Sequence, residues 1–395
     1  MTTAMIIEEI TRQFSQIYLS SRPAFIARAS GRVELIGGHT DYNEGFVIAA
    51  AIDSSYWVAA GRREDNKVCM YSEWAGGKHE FALVASLQAS QECKWANYGR
   101  GVAAVLLEEG FVLAGANLYI SGNVPVGSGL SSSAAMEVSI AHAMLKVAGI
   151  DPKTVAVVRL ARICQQAENI YAKSPCGIMD QMVSISGQKD QAVFLDCRDV
   201  STKAVPLDGV TSSIMILNSM VRHEVGGGEY GKRRNQCGIA CAAIAKKYPQ
   251  VKALRDADEM MLNAVESQID AVTFKRASHV IGENSRVLAA ADALTHNDMA
   301  VFGSLMYKSH CSARDLYEIS CPEIDFLVEE VCKKKGAFGA RLSGGGFGGA
   351  AVAIVSPEAA EAIRQQIEPA YKKRFGIDCW IHIAKPSLGV EVVSL

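Results

Sequence analysis

A strand-like stretch from Gly115 to Pro125, centred on Asn117, Leu118, Tyr119 and Ile120, runs into Pro125-Val126-Gly127-Ser128-Gly129-Leu130-Ser131-Ser132-Ser133-Ala134-Ala135. Met136, Ile140, Met144 and Val147 then recur at helical spacing, which makes the whole a strand, loop and helix unit. The glycines allow tight turning and close approach, the serines supply hydroxyl donors, and the helix start presents unpaired N–H groups with partial positive charge. A polyphosphate suits such a loop. It is not the P-loop pattern, because no Lys follows the glycines, nor the dinucleotide fingerprint, because the third glycine is missing. A polar helix cap is the competing reading, although one side chain is enough for a cap and three serines stand here in a row.

Three further clusters carry chemistry. Ser343-Gly344-Gly345-Gly346-Phe347-Gly348-Gly349 precedes an apolar strand at 351–355, and either tight packing or phosphate contact explains so many glycines. Gly31-Arg32-Val33-Glu34-Leu35-Ile36-Gly37-Gly38-His39-Thr40-Asp41-Tyr42-Asn43 places Arg, His and Asp in one short stretch between apolar runs. Pro175-Cys176-Gly177-Ile178-Met179-Asp180-Gln181 sets an Asp in an otherwise apolar segment. Singly, such residues are usually surface or satisfied core groups; together they describe a substrate pocket in which a carboxylate beside an Arg aligns or deprotonates a hydroxyl. Glu168 and a loop serine suit Mg2+, which prefers oxygen ligands.

The 395 residues are 49% hydrophobic, enough for a large core and two or three domains. A net charge of -2 offers no general attraction to nucleic acid or to anionic membranes. Eleven irregularly spaced cysteines fit reduced thiols, and Cys237 with Cys241 lacks nearby partners for a zinc set. Glu8, Glu9 and Arg12 do not resemble a signal peptide, and no apolar run reaches the ~20 residues of a membrane span, so a cytoplasmic protein is expected.

Residues 24–84 read as short β-rich runs, including 45–52 and 56–60. A helix is expected from Asp151-Pro152 to about Tyr171, and strands at 192–195 and 214–217 flank a turn-rich stretch at 199–208. That stretch divides the chain into 1–205 and 206–395. Helical patterns at 232–247, 285–294, 324–335 and 357–375 alternate with strands at 351–355 and 380–384, an α+β arrangement.

Together these motifs resemble the galactokinases of the GHMP sugar and small-molecule kinase superfamily over nearly the whole chain. Gly31 to Asn43 looks like the galactokinase signature, Gly127 to Ala134 like the superfamily's phosphate loop, and Gly344 to Gly349 like its third motif. Cys176 to Gln181, Arg222-His223, Glu229-Tyr230 and Arg233-Arg234 are also similar. The resemblance implies a two-domain α+β GHMP kinase fold: a ribosomal-protein-like α/β N-terminal domain, a C-terminal α+β domain and the site between them. It implies ATP and Mg2+ as cofactors, a sugar substrate phosphorylated at its anomeric hydroxyl, and a monomer or weak homodimer. By resemblance Arg32 steadies the transferring phosphoryl group and Asp180 is base or aligning group. Gly127, Ser128, Gly129, Leu130, Ser131, Ser132 and Ser133 cradle ATP, and Ser133 and Glu168 hold Mg2+. Gly38, His39, Thr40, Asp41, Gly177 and Tyr230 form the sugar site.

Three positions depart from the family pattern: Gly38 where Glu is usual, Glu34 where Asn is usual, and Ser30 where Pro is usual. The family's Glu bonds the sugar's C6 hydroxyl, and a lost bond to a charged group costs about 1.5 to 3 kcal/mol. Two consequences compete: Glu34 or water fills the gap, or the substrate is altered at C6, as in galacturonate or arabinose. A non-catalytic galactose and ATP sensor is a further alternative, opposed by the intact phosphate loop. A mevalonate or homoserine type of kinase is another, opposed by His39-Thr40-Asp41-Tyr42 and Tyr230.

Overall fold

Runs rich in Ala, Val and Ile sort into two sheets in a computed structural model that describes residues 3–19, 21–125, 129–174, 176–222 and 228–395. In chain order the strands are β1 (Phe25–Ile36), β2 (Phe46–Arg62), β3 (Lys67–Ser72), β4 (Gly77–Ala82), β5 (Ala116–Gly122), β6 (Gln191–Asp196) and β7 (Ser201–Pro206). They continue with β8 (Ser213–Arg222), β9 (Ala337–Ser343), β10 (Gly348–Val355), β11 (Trp380–Ala384) and β12 (Val390–Ser394). The larger sheet follows the order β12-β1-β2-β5-β3-β4, with β6 paired to β2 and β7 to β6. The smaller runs β11-β8-β10-β9. Residues 350–355 of β10 are buried without alternation, as expected for a central strand covered on both faces.

One apolar core joins the two sheets: Ile36 and Ile48 from the larger, Ile216 and Val352 from the smaller, with Val287 and Phe302 from helices. The helix Ser132–Val147 packs on β1 and β2, and the helix Met299–Ser312 packs on β9. A third, Ala271–Thr295, lies against β2 and is capped by Asp270, whose carboxylate accepts from Val272 N and Thr273 N at 3.0 Å.

Local departures from the sequence reading have local causes. The runs at 45–52 and 56–60 are one strand, β2, which continues through the exposed Asp53. The stretch at 199–208 holds β7, a mostly exposed outer strand with no apolar alternation to reveal it. Asp151 and Pro152 start only a 3-10 turn, Pro152–Thr154; Val155 and Ala156 are extended, and the helix proper is Val157–Gln166. It ends as a π-turn, Ala167–Ala172, stopped by Lys173 at φ 56°. An N-terminal helix, Thr3–Ile17, buries Ile10 and Phe14 against Trp57 and Tyr119.

Ser30 explains one departure from the family pattern. Its N–H donates to Gly389 O at 3.1 Å and its hydroxyl to Leu388 O at 2.6 Å, tying β1 to the segment that leads into β12. Proline there would lack the N–H. Among the described residues no helix is long and apolar enough to cross a membrane.

Candidate active site

Where β1 passes the start of the helix Ser132–Val147, the Arg32 guanidinium meets two groups. Its Nε and Nη2 donate to Asp180 Oδ1 at 2.8 and 2.6 Å, and its Nη1 donates to Gly129 O at 2.7 Å. Asp180 stands in the first turn of the helix Met179–Ser186, and its Oδ2 accepts from Ser131 Oγ at 2.5 Å. Ser131 is held at φ 54°, a left-handed conformation costly for serine that often marks functional turns. Gly129, at φ 74°, gives the loop its turn, Leu130 is buried beneath it, and Ser132 opens the helix. Gly127 and Ser128 lie outside the described residues.

Behind this triangle lie buried carboxyls. Glu168, on the π-turn, is 4% exposed; its Oε2 accepts from Gln181 Nε2 at 2.9 Å and lies 3.4 Å from Cys176 Sγ. Burial pushes its carboxyl up, the Ser133 hydroxyl draws it back down, and Asp180 raises it again. Glu137 is fully buried, with Oε1 lacking a partner among the described residues, and burial drives its pKa well above the usual range, with Glu168 adding to the rise. A buried carboxyl facing a serine hydroxyl, with a second carboxyl behind it, fits a hard cation with oxygen ligands.

Beside the triangle opens a cavity of about 270 Å³ whose walls include Arg32, Glu34, His39, Asp41, Gly177 and Asp180. Gly344 and Gly345 form another wall, and a Cβ on either would meet nothing. Asp41 starts a short turn, Asp41–Asn43, and Gly177 lets it in: a Cβ there would land on the Asp41 carboxylate. Burial pushes the Asp41 carboxyl up to about 6; the Tyr42 N–H opposes this, and Glu34 and Asp180 add to it. His39, at φ 63°, has both ring nitrogens engaged, Nδ1 with Tyr42 Oη at 2.8 Å and Nε2 with Gly345 O at 3.3 Å. Burial lowers its pKa to about 3, so the ring is neutral, donating from Nε2 and accepting at Nδ1. The chain of contacts continues from Tyr42 Oη to Tyr317 Oη at 2.7 Å and on to Cys237 Sγ at 3.3 Å. Thr40 faces away from the cavity; its buried hydroxyl bonds Gly37 O and Phe46 O at 2.7 Å, so it shapes the turn. Tyr230 is placed by backbone alone, in the first turn of the helix Glu229–Lys247.

Under Gly38 lies a second charge pair, which sequence reading foresaw only in part. Arg341 Nη1 donates to Glu34 Oε1 at 2.6 Å, with side chains 1% and 7% exposed. A Cβ on Gly38 would lie 2.6 Å from Arg341 Nη2 and 3.3 Å from Glu34 Oε1. The space that a side chain at 38 would enter is therefore filled by these two residues. Strand β1 is irregular between Glu34 and Ile36, and Gly37 turns at φ 111°, so simple alternation could not place 34 against 38. Glu283, also fully buried, receives Gly37 N at 2.9 Å and Gly38 N at 3.3 Å through Oε1, and Arg286 Nε at 2.7 Å through Oε2. Its long-range position hid it from sequence reading; Arg341, three residues before the first glycine of the run, carried a signal as a lone Arg in an apolar strand.

A wider cleft of about 490 Å³, lined by His142, Lys146, Lys153 and Glu391 among others, holds none of the motif residues.

Comparison with known proteins agrees with this geometry. Residues 12–62 match the galactokinase galactose-binding signature, 97–188 the GHMP kinases N terminal domain, and 290–373 the GHMP kinases C terminal region. The galactokinase of Roseiflexus sp. (strain RS-1) is 39% identical over 97% of this chain and 96% of its own length. That of Mannheimia succiniciproducens is 41% identical over 92% of this chain and 94% of its own. The structure of Lactococcus lactis galactokinase complexed with galactose superimposes with a TM-score of 0.90 at 30% identity, covering 99% of this chain and 100% of that one. A mevalonate kinase shares the fold at a TM-score of 0.64 and 16% identity, covering 91% of this chain and 98% of its own. Signature, sequence and two-domain α+β architecture converge: the chain belongs to the galactokinases of the GHMP kinase superfamily.

Proposed function

We propose that Arg32 and Asp180 work at the reacting centre of an ATP-dependent galactokinase, which transfers the γ-phosphoryl group of ATP to galactose and releases galactose 1-phosphate. The observation that carries this reading is the triangle of Arg32, Asp180 and Ser131 at a helix N-terminus, opening onto a carboxylate-lined cavity. Phosphoryl transfer through a loose transition state asks mainly for positioning and charge neutralisation. Of the five guanidinium N–H groups, three are used within the protein, and the others remain for the transferring phosphate. The two-point grip on Asp180 Oδ1 and the Ser131 bond to Oδ2 fix a carboxylate that aligns the sugar's anomeric hydroxyl for attack.

The loop from Gly127 to Ser133 holds the ATP phosphates with its N–H groups and hydroxyls. Ser133 and Glu168 hold Mg2+, which supplies charge neutralisation on the polyphosphate. Asp41 and Gly177 frame the sugar. His39 pins this segment to the third glycine-rich loop through Gly345, and by the family resemblance Tyr230 contributes to the sugar site from the C-terminal half. The cleft lies between 1–205, with the sugar motif and phosphate loop, and 206–395, with the third glycine motif.

The two departures at 34 and 38 compensate one another. A carboxylate at 34 replaces the one missing at 38, which removes the ground for a C6-altered substrate such as galacturonate or arabinose. Arg32, Asp180, Ser133 and Glu168 are all present, which speaks against a silent sensor. The test is ADP release with purified protein, ATP, Mg2+ and single sugars: galactose-dependent turnover is expected, and release that ignores sugar would refute the reading.

A further inference from the structure

Buried ion pairs are weak contributors to stability, because desolvation offsets much of their attraction, and well-packed apolar residues commonly do as well. The pair of Glu34 and Arg341 even leaves Arg341 Nε without a partner among the described residues. Its placement suggests another use. Glu34 lines the cavity, its Oε1 is locked by Arg341, and its own backbone carbonyl accepts from Ser343 Oγ at 3.1 Å, so both ends of the residue are fixed. Gly38 presents only backbone above it, and Glu283 anchors that backbone through two N–H groups.

We propose that Glu34, oriented by Arg341 beneath the bare backbone of Gly38, is a specificity-determining acceptor for one hydroxyl of the sugar, in the cavity that Asp180 also lines. The proposal rests on the galactokinase reading and names the residues that select the substrate within it. A pre-set acceptor loses no side-chain freedom on binding, which favours the sugar that offers a hydroxyl at that point. Glu34, Asp41 and Asp180 together give the cavity a carboxylate-rich lining, which disfavours an anionic sugar.

The experiment measures kcat and KM for galactose, for its 3-, 4- and 6-deoxy analogues and for galacturonate, in the wild type, in Glu34→Gln, and in the double variant Glu34→Leu/Arg341→Met. The double variant removes both charges at once and so protects folding if the single one fails. With galactose, KM is expected to rise about 10- to 150-fold while kcat stays within about threefold, the mark of lost binding shared by ground and transition states. For one deoxy analogue, the one without the contacted hydroxyl, that rise is expected to vanish. An unchanged KM, an equal rise for every analogue, or wild-type turnover of galacturonate comparable with galactose would overturn the proposal. Wild-type protein that does not phosphorylate galactose would instead overturn the galactokinase reading.

Discussion

Two guanidinium–carboxylate pairs start two residues apart on β1, and they are built in opposite senses. Arg32 projects a cation from β1 to an Asp on a helix N-terminus; Glu34 projects an anion to an Arg on β9. The first pair is partly open, with side chains 7% and 20% exposed, and its members retain bonding capacity toward the cleft. The second is shut, at 1% and 7%, and one guanidinium edge is spent against protein. Exposure separates their tasks: an accessible pair can follow charge as it moves during reaction, whereas an enclosed pair holds its carboxylate as a fixed acceptor in the cavity wall.

The two pairs therefore respond to mutation in crossed fashion. Arg32→Ala is expected to lower kcat by about 10³ to 10⁵, measured by ADP release at saturating substrates, with a modest change in stability. A kcat within tenfold of wild type would show that the open pair does not touch the chemistry. Arg341→Met leaves Glu34 buried and unpaired, so denaturant unfolding should show a loss of about 3 to 5 kcal/mol. If the loss were no greater than for Arg32→Met, burial would not be what distinguishes the pairs.

A third effect separates Asp41 from both. Its carboxyl, pushed up to about 6, must be ionised to accept a sugar hydroxyl. In the free enzyme kcat/KM for galactose should therefore fall as pH drops through about 6, by up to tenfold per unit. In Asp41→Asn this limb should disappear from a lower plateau. On the stability side the sign is reversed: the folded form takes up the proton first, so this one group makes the unliganded protein more stable as pH falls from about 6 toward its ordinary value of 3.8. The smallest effect is expected at Cys176, whose thiol touches Glu168 at 3.4 Å and accepts from Gln181 Nε2 at 3.7 Å; Cys176→Ser should change KM for Mg2+ less than about threefold.

Much of this site was legible in the chain because its chemistry is local in sequence. Gly127 to Ser133, Arg32 with Asp41, and Gly177 with Asp180 each occupy a short motif, and their residue types state the need for close approach, charge or hydroxyls. The motifs alone suggest a carboxylate beside an Arg in one pocket; the roles of Arg32 and Asp180, 148 residues apart, come from the resemblance. Glu283, in contrast, lies just ahead of the helical pattern read at 285–294, and its role depends on where Gly37 and Gly38 fall in space. Glu34 was visible as a departure, but its direction depended on a strand irregularity that periodicity does not encode. Element boundaries failed for the same reason at 151–157, where a cap and a proline announced a helix that the extended Val155 and Ala156 delay.

The closing strand of the larger sheet has a consequence for folding. β1, which bears both pairs, is bonded on one side to residues 390–394, a partner very distant along the chain. Until that segment docks, the outer edge of β1 stays unsatisfied, an invitation to mispairing. Ser30, by gripping residues 388 and 389, places a clasp where this long-range pairing has to be fastened.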